Sequence, residues 1–250
     1  MFLQEKMGKL LYPTDKIPGK MLSVVLPAYN EEKNIKKVVD SILKFIPSLV
    51  EKYEIIIVND GSKDDTGKLV DELAKNCREI VPLHHTQNRG YGAALTTGFK
   101  KAKGDFIFFT DADGQFDIKE LPKLLSLIKE GADIACGYRK ERADPLFRRI
   151  NAGIYNLLIR VIFGLKVKDI DCAFKLFKRK IIEEINLESS GAFVSAEFLI
   201  LAKKRGYVIK QVGVSHFPRI EGKQTGNNLK VVLKAFLELI KFRRKIKKKG

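Results

Sequence analysis

Tryptophan is absent from this 250-residue chain, and cysteine, histidine and methionine occur three times each. Cys77, Cys136 and Cys172 are odd in number, far apart and without a CxxC pair. That excludes a disulfide framework or a cysteine zinc site and leads us to expect reduced thiols in a cytosolic setting. His84, His85 and His216 lack any metal-ligand spacing, so structural or surface roles are expected of them. No apolar run reaches the roughly 18 residues of a spanning helix, and the first twenty residues lack the apolar core of a signal peptide. The chain is expected not to cross a bilayer by itself. Neither GxxxxGK[ST] nor a GxGxxG after the first strand is present, which argues against a P-loop ATPase and a Rossmann oxidoreductase. Acid is scarce as well: 30 Asp and Glu face 47 Lys and Arg, a net charge of +17. Such an excess favours phosphate groups, polyanions or an anionic membrane surface. No RRM, KH or helix-turn-helix pattern accompanies it, so nucleic acid is not an expected partner.

What is present is organised around GDFIFFTDADGQFD, residues 104–117. Phe106 to Phe109 read as a strand buried on both faces. Asp111 and Asp113 follow two residues apart, so in extended backbone their carboxylates point to one side. Two like charges so close are costly unless a cation lies between them. Hard oxygen ligands at a strand end suit Mg²⁺ or Mn²⁺ shared with substrate phosphates. A solvated acidic turn is the plainer alternative, and Asp117 is expected only to start the next helix.

The preceding chain alternates strands and helices. Met21 to Leu26 reads as a strand stopped by Pro27, Glu31 to about Phe45 as a helix, Tyr53 to Val58 and Ile80 to His84 as strands. Further helices run from Asp65 to about Ala74 and from Gly90 to Ala102. This order predicts an α/β fold with a mostly parallel sheet flanked by helices, whose ligands sit beyond the carboxyl ends of the strands. Pro27 to Glu31, Asn59 to Ser62, Asn88 to Gly92 and Asp111 to Gln115 all fall there. Singly they read equally well as a helix cap, a turn and a helix start. The amides of Asn88 to Gly92, at the start of a helix, would suit an anion.

LSVVLPAYNEEKNI, YEIIIVNDGSKDDT, NRGYGAALTTGFKKAKGDFIFFTDADGQFD and DCAFKLFKR, in that order, resemble a family 2 glycosyltransferase with a GT-A fold. The likeness covers about residues 20–225 and is nearest to the dolichol-phosphate mannose synthase and polyprenyl-phosphate glycosyltransferase branch. It implies inverting transfer of a sugar from a UDP- or GDP-sugar with a divalent metal, Mg²⁺ or Mn²⁺. It implies donor contacts from Pro27, Tyr29, Glu31, Asp60, Asp111 and Ala112, and metal ligands Asp111, Asp113 and Gln115. It places Arg139, Arg148, Arg219 and Lys223 at the lipid phosphate, and Asp113, Arg139 and Asp169 in the catalytic set. Two departures stand out: Ala152 replaces a phosphate-binding serine, and Gly222-Lys223-Gln224-Thr225 replaces Gly-x-Ser-Lys.

A polyprenyl phosphate acceptor, with a second pKa of about 6, is already largely dianionic at neutral pH and needs no base. A saccharide acceptor in envelope polysaccharide or glycan synthesis is the alternative, and it would need Asp169, Asp171 or Glu197 as general base. Asp169 would equally serve to hold Arg139 or Lys175. An inactive nucleotide-sugar-binding scaffold is disfavoured by the retained acid pair.

In the second half Ala132 to Gly137 reads as a strand, Ile150 to Leu165 as an apolar helix, and the stretch from Lys175 to about Ile185 as a helix. From Leu229 to Lys249, Lys230, Lys234, Glu238, Lys241, Lys245 and Lys248 form a polar stripe beside a wide apolar face. That pattern fits a helix docked on the domain or lying in a membrane interface, with a basic tail for anionic lipid. The expected organisation is an arm (1–20), a GT-A domain (21–225, divided into a nucleotide-sugar half, 21–130, and an acceptor half, 131–225) and a basic amphipathic helix (226–250). The expected location is the cytoplasmic face of a membrane, bound peripherally. A membrane subunit is a further expected partner, because some members carry spanning helices that this chain lacks.

Overall fold

The computed structural model describes residues 19–140, 146–219, 221 and 237–245, with backbone alone for 146–152. The strands are β1 (Met21–Ala28), β2 (Lys52–Asn59), β3 (Ile80–His84), β4 (Phe106–Thr110), β5 (Ile134–Arg139), β6 (Phe174–Lys178) and β7 (Ile209–Val214). The helices are α1 (Ile35–Phe45), α2 (Thr66–Asn76), α3 (Tyr91–Lys101), α4 (Leu121–Lys129), α5 (Leu146–Phe163), α6 (Lys180–Glu184) and α7 (Val194–Lys204). Residues 237–245 are also helical and are called α8.

All seven strands share one sheet in the order β3-β2-β1-β4-β6-β5-β7. Pairings are parallel except those of β6, which runs against both β4 and β5. The expected mostly parallel α/β sheet is therefore present. Alternation along the strands divides the core in two. Leu22, Val24, Leu26 and Phe108 face α1 and α4, whereas Val25, Ile56, Phe109 and Phe177 face the layer of α3, α5, α7 and α8. The second layer is rich in phenylalanine: Phe177 lies 5.3 Å from Phe99 and 4.7 Å from Phe198, ring to ring.

Several boundaries differ from the sequence reading, each for a physical reason. The first strand continues through Pro27 to Ala28. Ala28 turns its carbonyl toward Asp60 beyond β2, so Pro27 turns its missing N–H the other way. The β1/β4 ladder has already ended there, at Val25 and Phe109. The fifth strand runs two residues later than expected, which takes Tyr138 and Arg139 into the sheet. The helix expected after Lys175 begins as the strand β6, with Phe174 and Leu176 on one face and Phe177 on the other. A lysine at a fully buried position hid that alternation. Its ammonium is satisfied by the carbonyls of Ile170, at 3.0 Å, and of Cys172.

Of the expected C-terminal helix, 226–250, only residues 237–245 are described. Residues 229–236 and 246–249 lie outside the described ones. Within α8, Glu238 bonds Ser189 and Lys245 pairs with Glu188 at the surface, while Leu237 and Ile240 are exposed. Of the polar stripe, Lys241 is exposed as well, so polar and apolar side chains share the solvent side of α8.

Because Phe177 is fully buried among aromatic neighbours, Phe177→Ala should cost about 3–5 kcal/mol by leaving a cavity. Chemical denaturation of the two proteins measures this directly.

Candidate active site

The loops after β1 and β2 are zipped together by short polar side chains. Asn30 accepts from the amide of Lys63 (2.8 Å), Ser62 from that of Asn30 (3.0 Å), and Thr66 from that of Glu31 (2.7 Å). Asn30 takes a left-handed conformation, φ 56°, which asparagine tolerates well. The turn through Glu31 to Asn34 thus precedes α1, which starts at Ile35 rather than at Glu31.

Asp60, expected against the base, is buried and fully bonded. Its carboxylate accepts from the amides of Arg89 (2.9 Å) and Gly90 (2.8 Å) and lies 2.6 Å from His85 Nδ1. The far nitrogen of His85 meets Thr97 of α3 at 3.0 Å. His85 is structural, as its lack of ligand spacing suggested, and the pair fixes the loop entering α3.

The start of α3 does not present its amides to an anion. Gly92 donates to the Ser190 carbonyl at 2.9 Å and Ala93 to the same oxygen at 3.3 Å. The approach is so close that a Cβ on Gly90 would stand 2.4 Å from that oxygen, and one on Gly92 2.3 Å from Ser189 O. The covering loop is itself held by Glu197 of α7, whose buried carboxylate accepts from the amides of Glu188 (3.1 Å) and Ser189 (2.8 Å). Burial raises the Glu197 carboxyl above its usual range, and these amide bonds oppose the shift. Glu197, a candidate base by sequence, is thus committed to a structural bond.

At the end of β4, residues 112 and 113 turn, and Gly114 at φ 75° completes the bend. Ala112 is buried in the core beneath the loop. The Asp111 carboxyl is pushed up to about 7 by burial, reinforced by the neighbouring Asp113 carboxylate. Tyr91 of α3 donates its hydroxyl to Asp111 at 2.9 Å, and its own phenol is raised by burial and by that acid. Gln115 is pinned to Phe217 on the loop after β7: its side-chain amide donates at 2.9 Å, and Phe217 N donates back to its carbonyl at 2.9 Å. This pairing brings Arg219 over the acids. Its guanidinium grips both oxygens of Glu31, at 2.6 and 2.7 Å, and stands 3.7 Å from Asp113. Burial raises Glu31 above the usual carboxylate range, while Asn34 and Arg219 hold it down. A cleft of about 420 Å³ opens between Lys33 before α1, Lys37 of α1 and the 110–118 loop, with Phe217 and the buried Thr110 hydroxyl, without a hydrogen-bond partner, in its lining.

On the far side, Arg139 and Asp169 form a bidentate pair, with Nε to Oδ2 at 2.6 Å and Nη2 to Oδ1 at 2.8 Å. Of the alternatives for Asp169, the structure shows it holding Arg139. Lys175 instead braces the 170–172 turn. Asp171 on that turn is exposed and acts on Tyr91 and Tyr155. The Arg148 side chain and all of Lys223 lie outside the described residues.

Among the described residues no group of three or more His, Cys, Asp or Glu could hold a metal ion. Two carboxylates still meet where burial and mutual repulsion raise Asp111, and Asp113 and Gln115 adjoin it. Their donors are hard oxygens, and two acids with open positions suit a divalent cation shared with substrate phosphates. The roles of Tyr91, Thr66 and the 188–190 loop went unassigned in the sequence, because each acts through a partner distant along the chain.

Glu197→Gln keeps the size and removes the charge, so the 188–190 loop should loosen. We expect a loss of about 1–3 kcal/mol of stability and faster hydrogen exchange at the Gly92 and Ala93 amides. A catalytic base would instead lose turnover with both properties unchanged.

Comparison with known proteins places this geometry in a family. The model of Glycosyl transferase family 2 matches residues 23–186. An undecaprenyl-phosphate 4-deoxy-4-formamido-L-arabinose transferase of Proteus mirabilis is 29% identical over 213 residues, covering 84% of this chain and 64% of its own length. A dolichyl-phosphate beta-glucosyltransferase of Trichomonas vaginalis is 34% identical over 224 residues, 82% of this chain and 69% of its own. The chain thus spans about two thirds of the length of these two relatives, and 51% of that of a Yersinia pestis transferase of the same description as the Proteus one. Among solved structures, glucosyl-3-phosphoglycerate synthase from Mycobacterium tuberculosis, in complex with Mn²⁺, UDP and glucosyl-3-phosphoglycerate, superposes with a TM-score of 0.70. It is 24% identical and covers 90% of this chain and 80% of that one, a likeness of GT-A fold. With its DxD loop at the end of β4 and the family model spanning most of the sheet, the chain belongs to glycosyl transferase family 2.

Proposed function

We propose that this chain transfers a sugar from a UDP- or GDP-sugar to a polyprenyl phosphate, with inversion and with a divalent metal, at a membrane surface. The observation that carries the reading is the Asp111/Asp113 pair, with Asp111 raised by burial, beside Glu31 and Arg219 at the carboxyl end of the sheet. Two relatives are named for transfer to undecaprenyl or dolichyl phosphate, and a fold neighbour was crystallised with Mn²⁺ and UDP. Both support it.

Asp111, Asp113 and Gln115 would hold the cation, which when bound neutralises charge on the departing nucleotide diphosphate. Pro27, Tyr29 and Glu31 form one wall for the donor. Asp60 supports it indirectly by fixing the 88–90 loop. Arg219, on a loop pinned through Gln115, stands between donor and acceptor sides and presents a guanidinium suited to phosphate. Arg148 and Lys223 are its proposed companions.

The state of the acids favours a phosphate acceptor. Asp169 is committed to Arg139 and Glu197 to backbone amides, so two of the three candidate bases are engaged. A dianionic phosphate attacks without a base, and positioning then supplies most of the rate. Arg139 would orient the acceptor side while Asp169 fixes its guanidinium. A saccharide acceptor would require Asp171, which is exposed near Tyr91.

The test is a transfer assay with radiolabelled UDP- and GDP-sugars, Mg²⁺ or Mn²⁺, and a short-chain polyprenyl phosphate. Label should enter the organic phase and vanish with a chelator; donor binding without lipid labelling would redirect the acceptor to a saccharide. Asp113→Asn should lower turnover by roughly 100-fold or more while leaving the circular dichroism unchanged. Arg219→Ala should raise the KM for the lipid phosphate far more than that for the donor, and equal effects would remove Arg219 from the acceptor side.

A further inference from the structure

The bonds already made by Asp60 limit which base the donor can carry. A carboxylate offers about four acceptor positions, two on each oxygen. Oδ1 of Asp60 accepts from the Arg89 amide at 2.9 Å and lies 2.6 Å from His85 Nδ1, while Oδ2 accepts from the Gly90 amide at 2.8 Å. Because an ionised carboxylate only accepts, His85 Nδ1 carries a proton there. Both positions on Oδ1 are therefore filled, and at most one remains, on Oδ2. The Asp60 side chain is 4% exposed, so a ligand reaches it from a narrow opening. Its own amide donates to the Ala28 carbonyl at 2.9 Å, which sets it beside Tyr29 on the wall proposed for the donor.

Two neighbouring acids are engaged in the same way. Glu31 holds Arg219 with both oxygens, at 2.6 and 2.7 Å, and Oε2 also accepts from Asn34 at 2.8 Å. Asp64 gives Oδ1 to the amide and hydroxyl of Thr66, at 3.0 and 2.6 Å, and Oδ2 to the Glu32 amide at 3.2 Å.

The candidate bases differ in what they ask of a carboxylate. Guanine presents two adjacent donors, N1–H and N2–H, and a carboxylate meets such a fork with one position on each oxygen. That match needs Oδ1, which is full. Uracil presents one donor, N3–H, between two carbonyls, and the single position on Oδ2 suffices for it. Arg89, exposed on the loop that caps Asp60, supplies donors for the carbonyls. A base N–H left without an acceptor in a closed site weakens binding by about tenfold or more.

We infer that Asp60, held by His85 and by the Arg89 and Gly90 amides, selects a uridine nucleotide over a guanosine nucleotide, so that the donor is a UDP-sugar. The inference rests on the proposed nucleotide-sugar reading and narrows its donor; it can be tested without turnover. His85 is here a positioning residue, acting through Asp60.

The experiment is calorimetric titration of the full chain with nucleoside diphosphates in the presence of Mn²⁺. UDP should bind about tenfold or more tighter than GDP. Inosine diphosphate, which lacks the N2 amine, should bind no more weakly than GDP, and 3-methyl-UDP, which lacks the N3 proton, should bind about tenfold more weakly than UDP. His85→Ala opens a position on Oδ1, so the preference for UDP should narrow; a purely structural His85 would weaken both nucleotides alike and leave their ratio unchanged. The wild-type comparisons decide the question even where His85→Ala fails to fold. GDP binding as tightly as UDP overturns the inference, as does inosine diphosphate binding tenfold more weakly than GDP. GDP preferred, with lipid labelled from a GDP-sugar, would keep the transfer reading and overturn the inference alone. UDP preferred, with no lipid labelled from any UDP-sugar, would keep the inference and overturn the acceptor proposal. Binding of neither nucleotide overturns both.

Discussion

Two carboxylates at the end of the central strand, one of them buried, constrain much of what surrounds them. Asp111 shares its pocket with Asp113, and burial makes the charged form of Asp111 expensive. The structure answers with a hydroxyl donor and a guanidinium. Tyr91 donates from α3, and Arg219 reaches in from the loop after β7 to meet Glu31 and Asp113. Each partner has to be held in turn. Tyr91 depends on the α3 start, which depends on Asp60 below and the Glu197-braced loop above. Arg219 depends on Gln115, whose amide is tied to Phe217.

The sheet order makes these supports available. The antiparallel strand β6 lies between β4 and β5 and joins the first four strands to β5 and β7 in one sheet. It places the 169–172 turn, with Arg139 bound to Asp169 and Lys175 gripping two of its carbonyls, beside the end of β4. The buried lysine and the arginine pair are costly to desolvate, and their hydrogen bonds offset that cost. They hold one geometry at the 169–172 turn where a purely apolar packing would leave it unpinned.

Much of the fold was legible in advance because local patterns carry it. MLSVVL, YEIIIV and FIFF are apolar on both faces and bounded by turn residues, so the parallel core and the edge carrying the loops follow directly. DADGQ stood out as a candidate cation site because acids two apart at a strand end are costly unless a cation lies between them. FKLFK was misread as the start of a helix: a lysine in a buried strand looks like a surface position until its carbonyl partners are known. The role of Glu197 was equally hidden, since a carboxylate that holds a loop and one that acts as a base are the same letter.

By itself the sequence determined the α/β architecture, the family likeness and the identity of the acid pair, because periodicity and short motifs are properties of neighbouring residues. Only the tertiary structure decided which polar groups are already engaged. It turned the α3 amides toward Ser190, gave Asp60 to the 88–90 loop, and set Arg219 on Glu31 across 188 residues of chain. It also left the apolar faces of α5 and α8 uncovered, where heptad-like spacing alone reads the same for a core helix as for an exposed one. Such pairings depend on distances in space between residues far apart in the chain, and no local pattern encodes them.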